Sequence, residues 1–333
     1  MANVAKLAVG QREDVSPALV ERMMSVTDAL QLAREFLRKK NYVEAVRVAQ
    51  QVADHKRGHP DAFHILAMAA YHTGRIDKAI QHAERAVGRA PKTAAFWSNL
   101  SEMLRRRGLL TRALTAAKQA VALDAAQEQG WSNLAAIEHE RQNFADAENA
   151  VRNALKLDMS NARSWNLLGN VLARLQRDEE AHAAYAEALR LRPGFTDAMV
   201  NDALCWRDAG DFDEALKRLN EALLIQPQHV NAHVARAVVY FLKGDVTRGR
   251  VEYEWRLRLP EILPSKAPGQ RWRGEDIAGK HLLLLAEQGL GDVIQTCRYI
   301  AALQTRGVGA LTLHVPRALR QLLADNFPDV KVT

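Results

Sequence analysis

Two consecutive stretches decide the fold: residues 94–127, AAFWSNLSEMLRRRGLLTRALTAAKQAVALDAAQ, and residues 128–161, EQGWSNLAAIEHERQNFADAENAVRNALKLDMSN. Both carry Trp-Ser-Asn-Leu at positions four to seven, and both have alanine at position twenty. Position twenty recurs every 34 residues along the chain, as Ala45, Ala79, Ala113, Ala147, Ala181, Ala215 and Gly249. A fixed period of this length indicates stacked repeats, each packed on its neighbours, and not one closed core.

The other positions of the repeat follow the same frame. The units begin at Val26, Pro60, Ala94, Glu128, Ala162, Thr196 and Val230, and position eight is small in all of them. Four units have a glycine at the central turn, where a residue without a Cβ tolerates positive φ: Gly74, Gly108, Gly210 and Gly244. Because small residues at positions eight and twenty allow close approach, each unit is predicted to be two helices packed across a turn.

The full pattern adds a bulky residue at position four, leucine at position seven except at Asp202 and Arg236, and proline at several closing turns. It resembles the tetratricopeptide repeat (TPR) family over residues 26–259. The resemblance implies an all-α, superhelical solenoid of about seven 34-residue helix–turn–helix repeats, whose concave groove binds a protein or an extended peptide. Residues 1–25, with Ser16-Pro17 opening a helix, are interpreted as an N-terminal capping helix.

In this family, positions 2, 5, 6, 9, 12 and 13 of each unit line the groove. Position six carries a recurring asparagine, whose amide offers one acceptor and two donors and can clamp a peptide backbone. The alternative is that asparagine is a tolerated polar residue on a solvated face. The predicted peptide-groove residues are Asn99, Asn133, Asn166, Asn170, Asn201, Arg105, Arg174 and Arg207.

Composition argues against several other classes of protein. The net charge is +7, but the groove positions mix seven arginines with five acidic residues, so no nucleic-acid partner is expected. The longest apolar run, residues 65–71, is too short for a membrane span. Two distant cysteines and dispersed histidines predict neither a disulfide framework nor a metal site, and a cytoplasmic location is expected. Oligomerisation is left open.

The last eighty residues do not follow the repeat. Residues 260–280 are interpreted as a linker or docking segment. Apolar runs at 282–286 and 310–315, with a third strand at 329–332, alternate with helical patterns at 293–304 and 317–325. Strand–helix alternation predicts the start of a Rossmann-like parallel sheet over residues 281–333. Ile294 stands where a dinucleotide fingerprint needs its third glycine, so NAD binding is not expected.

Three segments of this tail resemble bacterial proteins that fuse TPR repeats to a heptosyltransferase-like, GT-B glycosyltransferase, an architecture similar to that of O-GlcNAc transferase. They are residues 254–256 (EWR), residues 272–274 (WRG) and residues 286–295 (AEQGLGDVIQ). The resemblance implies that the repeats recognise the acceptor of a protein O-glycosyltransferase. A complete enzyme would need a second Rossmann-like half after Thr333 and a nucleotide-sugar donor.

No cofactor is assigned to this chain, and we expect no sugar transfer from it alone. On this resemblance Asp292 is a candidate catalytic base, and Glu287 is the next candidate. For Asp292 the alternative is a role as a helix N-cap. For the whole chain the alternative is a non-catalytic TPR scaffold or adaptor.

Overall fold

The computed structural model of the protein describes residues 25–55, 58–259, 269–287 and 289–333. The predicted capping helix lies outside the described residues, apart from Ser25. The hydroxyl of Ser25 accepts a hydrogen bond from the backbone N–H of Asp28 and so caps the first helix. The chain divides into two compact units, Met1–Pro227 and Gln228–Thr333, and each is described separately.

From residue 25 on, the described part of the first unit contains six helix pairs, one for each of the first six predicted repeats. The first helices are α1 (Val26–Arg38), α3 (Pro60–His72), α5 (Ala94–Arg106), α7 (Glu128–Glu140), α9 (Ala162–Arg174) and α11 (Thr196–Asp208). The second helices are α2 (Tyr42–His55), α4 (Ile76–Arg89), α6 (Leu110–Leu123), α8 (Phe144–Leu157), α10 (Asp178–Leu191) and α12 (Phe212–Ile225). The predicted solenoid of paired helices is therefore confirmed for these repeats.

Small residues bring the two helices of a pair together, as the sequence predicts. Every alanine at position twenty in this unit, from Ala45 to Ala215, has no exposed surface. A second device joins consecutive repeats, because each position-four tryptophan donates its indole N–H to a carbonyl six residues earlier. The bonds run from Trp97 to Pro91, from Trp131 to Ala125 and from Trp165 to Met159, at 2.8–2.9 Å.

The turn between the helices requires a left-handed residue at position fifteen. Gly74, Gly108 and Gly210 adopt φ of 75°, 78° and 86° there, as predicted. The other three units of this part place Lys40, Gln142 and Gln176 in the same conformation, with φ of 59°, 65° and 59°. The left-handed turn is thus present whether or not the residue is glycine, and in these three units a residue with a Cβ adopts the strained conformation.

Position seven of the sixth repeat carries a buried charge where the earlier repeats carry leucine. Asp202 is 5% exposed, and its carboxylate lies 2.5 Å from His182 Nδ1 and 3.3 Å from Arg218 Nε. Arg218 stands at position 23, where most other units have a small apolar residue. The charge of Asp202 is therefore balanced inside its own repeat by an arginine from the second helix.

The second unit begins with the seventh helix pair, α13 (Val230–Leu242) and α14 (Val246–Tyr253), and a 3-10 turn, Glu254–Arg258. Here the charges at positions seven and 23 are reversed: Arg236 lies 2.7 Å from Glu252. A three-stranded parallel sheet of order β1-β2-β3 follows, with His281 paired to Ala310. Its elements are β1 (His281–Leu285), α15 (Leu290–Thr296), α16 (Tyr299–Thr305), β2 (Ala310–His314), a 3-10 turn (Arg317–Leu319), α17 (Arg320–Asn326) and β3 (Lys331–Val332).

This unit differs from the predictions in two details of its helices. The single helix predicted over 293–304 is two short helices that meet at Cys297 and Arg298. The helix predicted from residue 317 starts with the 3-10 turn. In the segment interpreted as a linker or docking segment, Ile277 is 1% exposed in the core of the sheet and Trp272 packs against that core. Arg256 of the seventh repeat pairs with Glu287 after β1.

Candidate functional site

The predicted peptide-groove residues all lie on the first helices of four consecutive repeats: α5, α7, α9 and α11. Their side chains do not stand apart as free binding groups. Most are already bonded to one another or to the neighbouring repeat, so only the atoms that these bonds leave unused can contact a ligand.

The position-six asparagines join adjacent repeats. In each case the amide nitrogen bonds to position five of the preceding repeat, 35 residues earlier. The bonded pairs are Asn99 with His64 Nε2 (2.7 Å), Asn133 with the Ser98 carbonyl (2.8 Å) and Asn201 with Asn166 Oδ1 (3.1 Å). Sequence reasoning placed these asparagines in a groove and missed this second role. The signal was the polar residue at position five in each preceding unit.

Asn133 has no group left for a ligand. It is 6% exposed, its amide nitrogen also lies 3.1 Å from the Ser98 hydroxyl, and its carbonyl oxygen accepts a bond from Gln129 Nε2 at 2.9 Å. Asn99 and Asn201 are half-buried, and no described residue donates to their carbonyl oxygens. The position-six asparagines therefore differ in what they leave for a ligand: Asn99 and Asn201 each keep an unbonded carbonyl oxygen, and Asn133 keeps no unbonded group.

Arg105 belongs to a network of charges centred on Glu102. The carboxylate of Glu102 accepts bonds from Tyr71 Oη at 2.9 Å, Arg105 Nε at 2.7 Å and Arg106 Nε at 3.1 Å. Burial opposes ionisation of Glu102, but the bonds from Arg105, Tyr71 and Arg106 outweigh it and hold its pKa below the usual value. Because Arg105 also bonds to Glu140, its charge is already neutralised within the repeats.

The first helix of repeat 5 differs, because the arginines of α9 are not paired with acids among the described residues. Arg174 is exposed and places its guanidinium 5.0 Å from the centre of the Phe144 ring. No carboxylate among the described residues pairs with Arg174 or with the exposed Arg163, a position left out of the predicted site. Arg207, by contrast, bonds to Asp208 at 2.8 Å. Asn170 accepts a bond from the Tyr185 hydroxyl at 2.9 Å.

The candidate catalytic residues line a cavity of about 620 Å³ in the second unit. Its walls are mainly apolar side chains of β1, β2, α15 and α16, with Asp292, Glu287, Tyr299 and Arg306 as polar members. Asp292 is the third residue of α15 and Gly289 is the N-cap, so the interpretation of Asp292 as a cap is wrong. Glu287 accepts bonds from Arg256 Nη2 at 2.8 Å and Nε at 3.1 Å.

The described residues contain no group of three or more histidine, cysteine or acidic side chains placed to hold a metal ion. None of the described helices combines the length and the apolar character that crossing a bilayer requires.

Cys205 and Cys297 are buried thiols, and burial, followed by the nearby Asp178, raises the pKa of Cys205 to about 12.

Residues 30–93, 74–128, 136–194 and 207–258 match the tetratricopeptide repeat family. Protein FlbA of Caulobacter vibrioides is 34% identical over 152 residues, which are 44% of this chain and 26% of FlbA, so the chain spans about a quarter of that relative. A tetratricopeptide repeat protein from Parabacteroides merdae has a similar structure, with a TM-score of 0.60 at 12% identity over 71% of this chain and 93% of its own. The APC/C hetero-tetramer Cut9–Hcn1 gives 0.58 at 16% identity, over 70% and 49%. These structures share the fold.

Proposed function

The chain belongs to the tetratricopeptide repeat family, and from that premise we propose that it is a non-catalytic binding module for an extended peptide segment of a partner protein. The surface proposed for binding is the first-helix face of repeats 3–6, on α5, α7, α9 and α11. This function corresponds to the scaffold or adaptor expected as the alternative from the sequence.

The observation that carries this proposal is the set of amide groups that remain unbonded on that face. Bonds between repeats use one end of the amides of Asn99, Asn166 and Asn201, and a bond from Tyr185 within repeat 5 uses one end of the amide of Asn170. The described residues leave the NH2 groups of Asn166 and Asn170 and the carbonyl oxygens of Asn99 and Asn201 unbonded. A peptide backbone presents alternating donors and acceptors at short intervals. Amides of both polarities, held by neighbouring repeats, suit such a backbone without selecting its side chains.

A display library tests the proposal. Peptides selected on the full chain should bind the Asn166→Ala/Asn170→Ala variant about tenfold more weakly, since two amide contacts are lost. The matched control is Asn149→Ala/Asn153→Ala, which removes two asparagines from the second-helix face of α8. If selected peptides bind the first variant as well as the unchanged chain, the face is not the binding surface.

A second candidate is the acceptor-recognition arm of an O-glycosyltransferase, and the cavity beside Asp292 favours it. Open parallel sheets bind ligands at the carboxyl ends of their strands, and the carboxylate of Asp292 bonds to no described side chain. In a complete enzyme, Asp292→Asn would lower turnover by about 10²–10⁴ through loss of the base, with acceptor binding unchanged. Glu287→Gln is the matched comparison, because Arg256 already engages that carboxylate. The family match ends at residue 258, so the adaptor function is the better supported.

A further inference from the structure

We infer that the first-helix face of repeat 5 docks an acidic peptide, through a row of hydrogen-bond donors on α9. This inference rests on the proposed function and adds the chemistry of the partner. The row consists of Arg163, Asn166, Asn170 and Arg174, spaced by three, four and four residues. Side chains at this spacing lie on one face of a helix.

Internal bonds leave donors as the wholly unbonded groups of this row. The carbonyl oxygen of Asn166 accepts a bond from the amide of Asn201, and the carbonyl oxygen of Asn170 accepts one from the hydroxyl of Tyr185. Each asparagine therefore keeps its NH2 group, which donates to no described residue, as the end that is wholly unbonded. Two guanidiniums, which can only donate, stand at the ends of the row. A ligand for these four groups must supply acceptors at every one of them.

Charge restricts the ligand further. Three acids on the neighbouring first helices are engaged within the chain: Glu140 bonds to Arg105, Asp208 bonds to Arg207, and Asp197 makes an interaction of its own. Beside Arg174, burial and then the arginine itself lower the pKa of His139, so this ring adds no charge near neutral pH. The first helix of repeat 5, α9, thus keeps a positive charge at Arg163 and Arg174 that no described carboxylate neutralises. Carboxylates meet both requirements, since they accept and are anionic.

Helix geometry sets the spacing of the carboxylates. Arg163 and Arg174 are eleven residues apart, about 16 Å along α9 at 1.5 Å per residue. An extended peptide covers that distance in about five residues. The row therefore suits two acidic side chains about five residues apart, with backbone carbonyls between them facing the two asparagines. A nucleic acid is the less suitable ligand, because two guanidiniums do not make a stripe that follows a phosphate backbone.

The test compares three labelled probes by fluorescence anisotropy at low ionic strength on the full chain. The first is a serine–glycine peptide with two glutamates about five residues apart, the second has glutamines instead, and the third is a uridine oligonucleotide. We expect the glutamate peptide to bind at least about tenfold more tightly than the glutamine peptide. Arg163→Gln/Arg174→Gln should abolish that preference. Lys78→Gln/Lys118→Gln, which removes the same charge from exposed positions on second helices, should retain it.

Equal binding of the two peptides, or a preference that survives Arg163→Gln/Arg174→Gln, would overturn the inference. So would tighter binding of the oligonucleotide, or no binding of either peptide at about 1 mM. These results do not decide the proposed function. That function is tested separately, by the binding of display-selected peptides to the Asn166→Ala/Asn170→Ala variant. Both arginines are exposed, so their replacement leaves the packing of α9 intact.

Discussion

Gly169 of α9 lies directly against the ring of Tyr185 of α10: a Cβ built on the glycine would stand 2.5 Å from Tyr185 Cε1. The tyrosine is 2% exposed, and its hydroxyl is fixed by the bond to Asn170. The ring therefore cannot move aside easily. The first four repeats combine alanine or serine at position eight with alanine or valine at position 24, whereas this repeat combines Gly169 with Tyr185.

Gly169→Ala should lower the free energy of unfolding by about 1–3 kcal/mol, because the added methyl group overpacks a rigid contact. Urea unfolding followed by circular dichroism measures the change. Gly130→Ala is the matched control on α7, where the new Cβ would lie 3.4 Å from Val121. There the better helix propensity of alanine should stabilise the protein by up to about 1 kcal/mol. A Gly169→Ala protein as stable as the unchanged chain would contradict the packing.

Gln176→Gly should stabilise the protein by about 0.5–1 kcal/mol. The φ of Gln176 is 59°, a conformation that strains a residue with a Cβ by roughly 1–2 kcal/mol, and glycine removes that strain at some cost in chain entropy. Thermal unfolding provides the measurement. Gln119→Gly, at an exposed position inside α6, should instead destabilise by about 1 kcal/mol. Destabilisation by both changes would show that the turn does not need a left-handed residue.

Asn133→Ala should lower the free energy of unfolding by about 1–3 kcal/mol, because Gln129 loses its acceptor and the bond to Ser98 disappears in a buried site. Asn201→Ala, at a half-buried position, should have a smaller effect. Hydrogen exchange of α5 and α7 should increase in the Asn133 variant, since the bond joins these two helices. Unchanged exchange there would mean that the bond does not hold the repeats together.

Stability should fall as the pH is lowered below about 6.5. Burial lowers the pKa of His64 below its ordinary value of 6.5, and burial acts in the same direction on His82 and His139. In this range the unfolded chain takes up protons that the folded chain does not, so acidification favours unfolding. Denaturant midpoints across the range measure the loss. His64→Gln should reduce it, whereas replacement of the exposed His72 by glutamine should not.

The 34-residue period was sufficient to predict the helix pairs and the small residues between them, and the apolar runs of the tail were sufficient to predict its parallel strands. It did not reveal which atoms of Asn99 or Asn133 face a ligand, because that depends on how each repeat packs against the next. The positive charge of α9 was missed for the same reason. Counting charges along the face did not show that Arg105 is neutralised by an acid and Arg174 is not. In the tail, the helical periodicity of the sequence continues across Cys297, although the helix itself ends at Thr296 and a second helix begins at Tyr299.

The opposite charges of the two partly buried pairs, Asp202 with Arg218 and Arg236 with Glu252, bear on how similar helices find the correct neighbour while the chain folds. In an array of near-identical units, the second helix of one repeat could dock on the first helix of another. If α11 paired with α14, Asp202 would face Glu252, and if α13 paired with α12, Arg236 would face Arg218. Like charges held together in a partly buried site repel one another, so both errors are penalised. Reversing the charges from one repeat to the next thus protects this end of the array against exchanged helices, at positions where leucine would fit either partner.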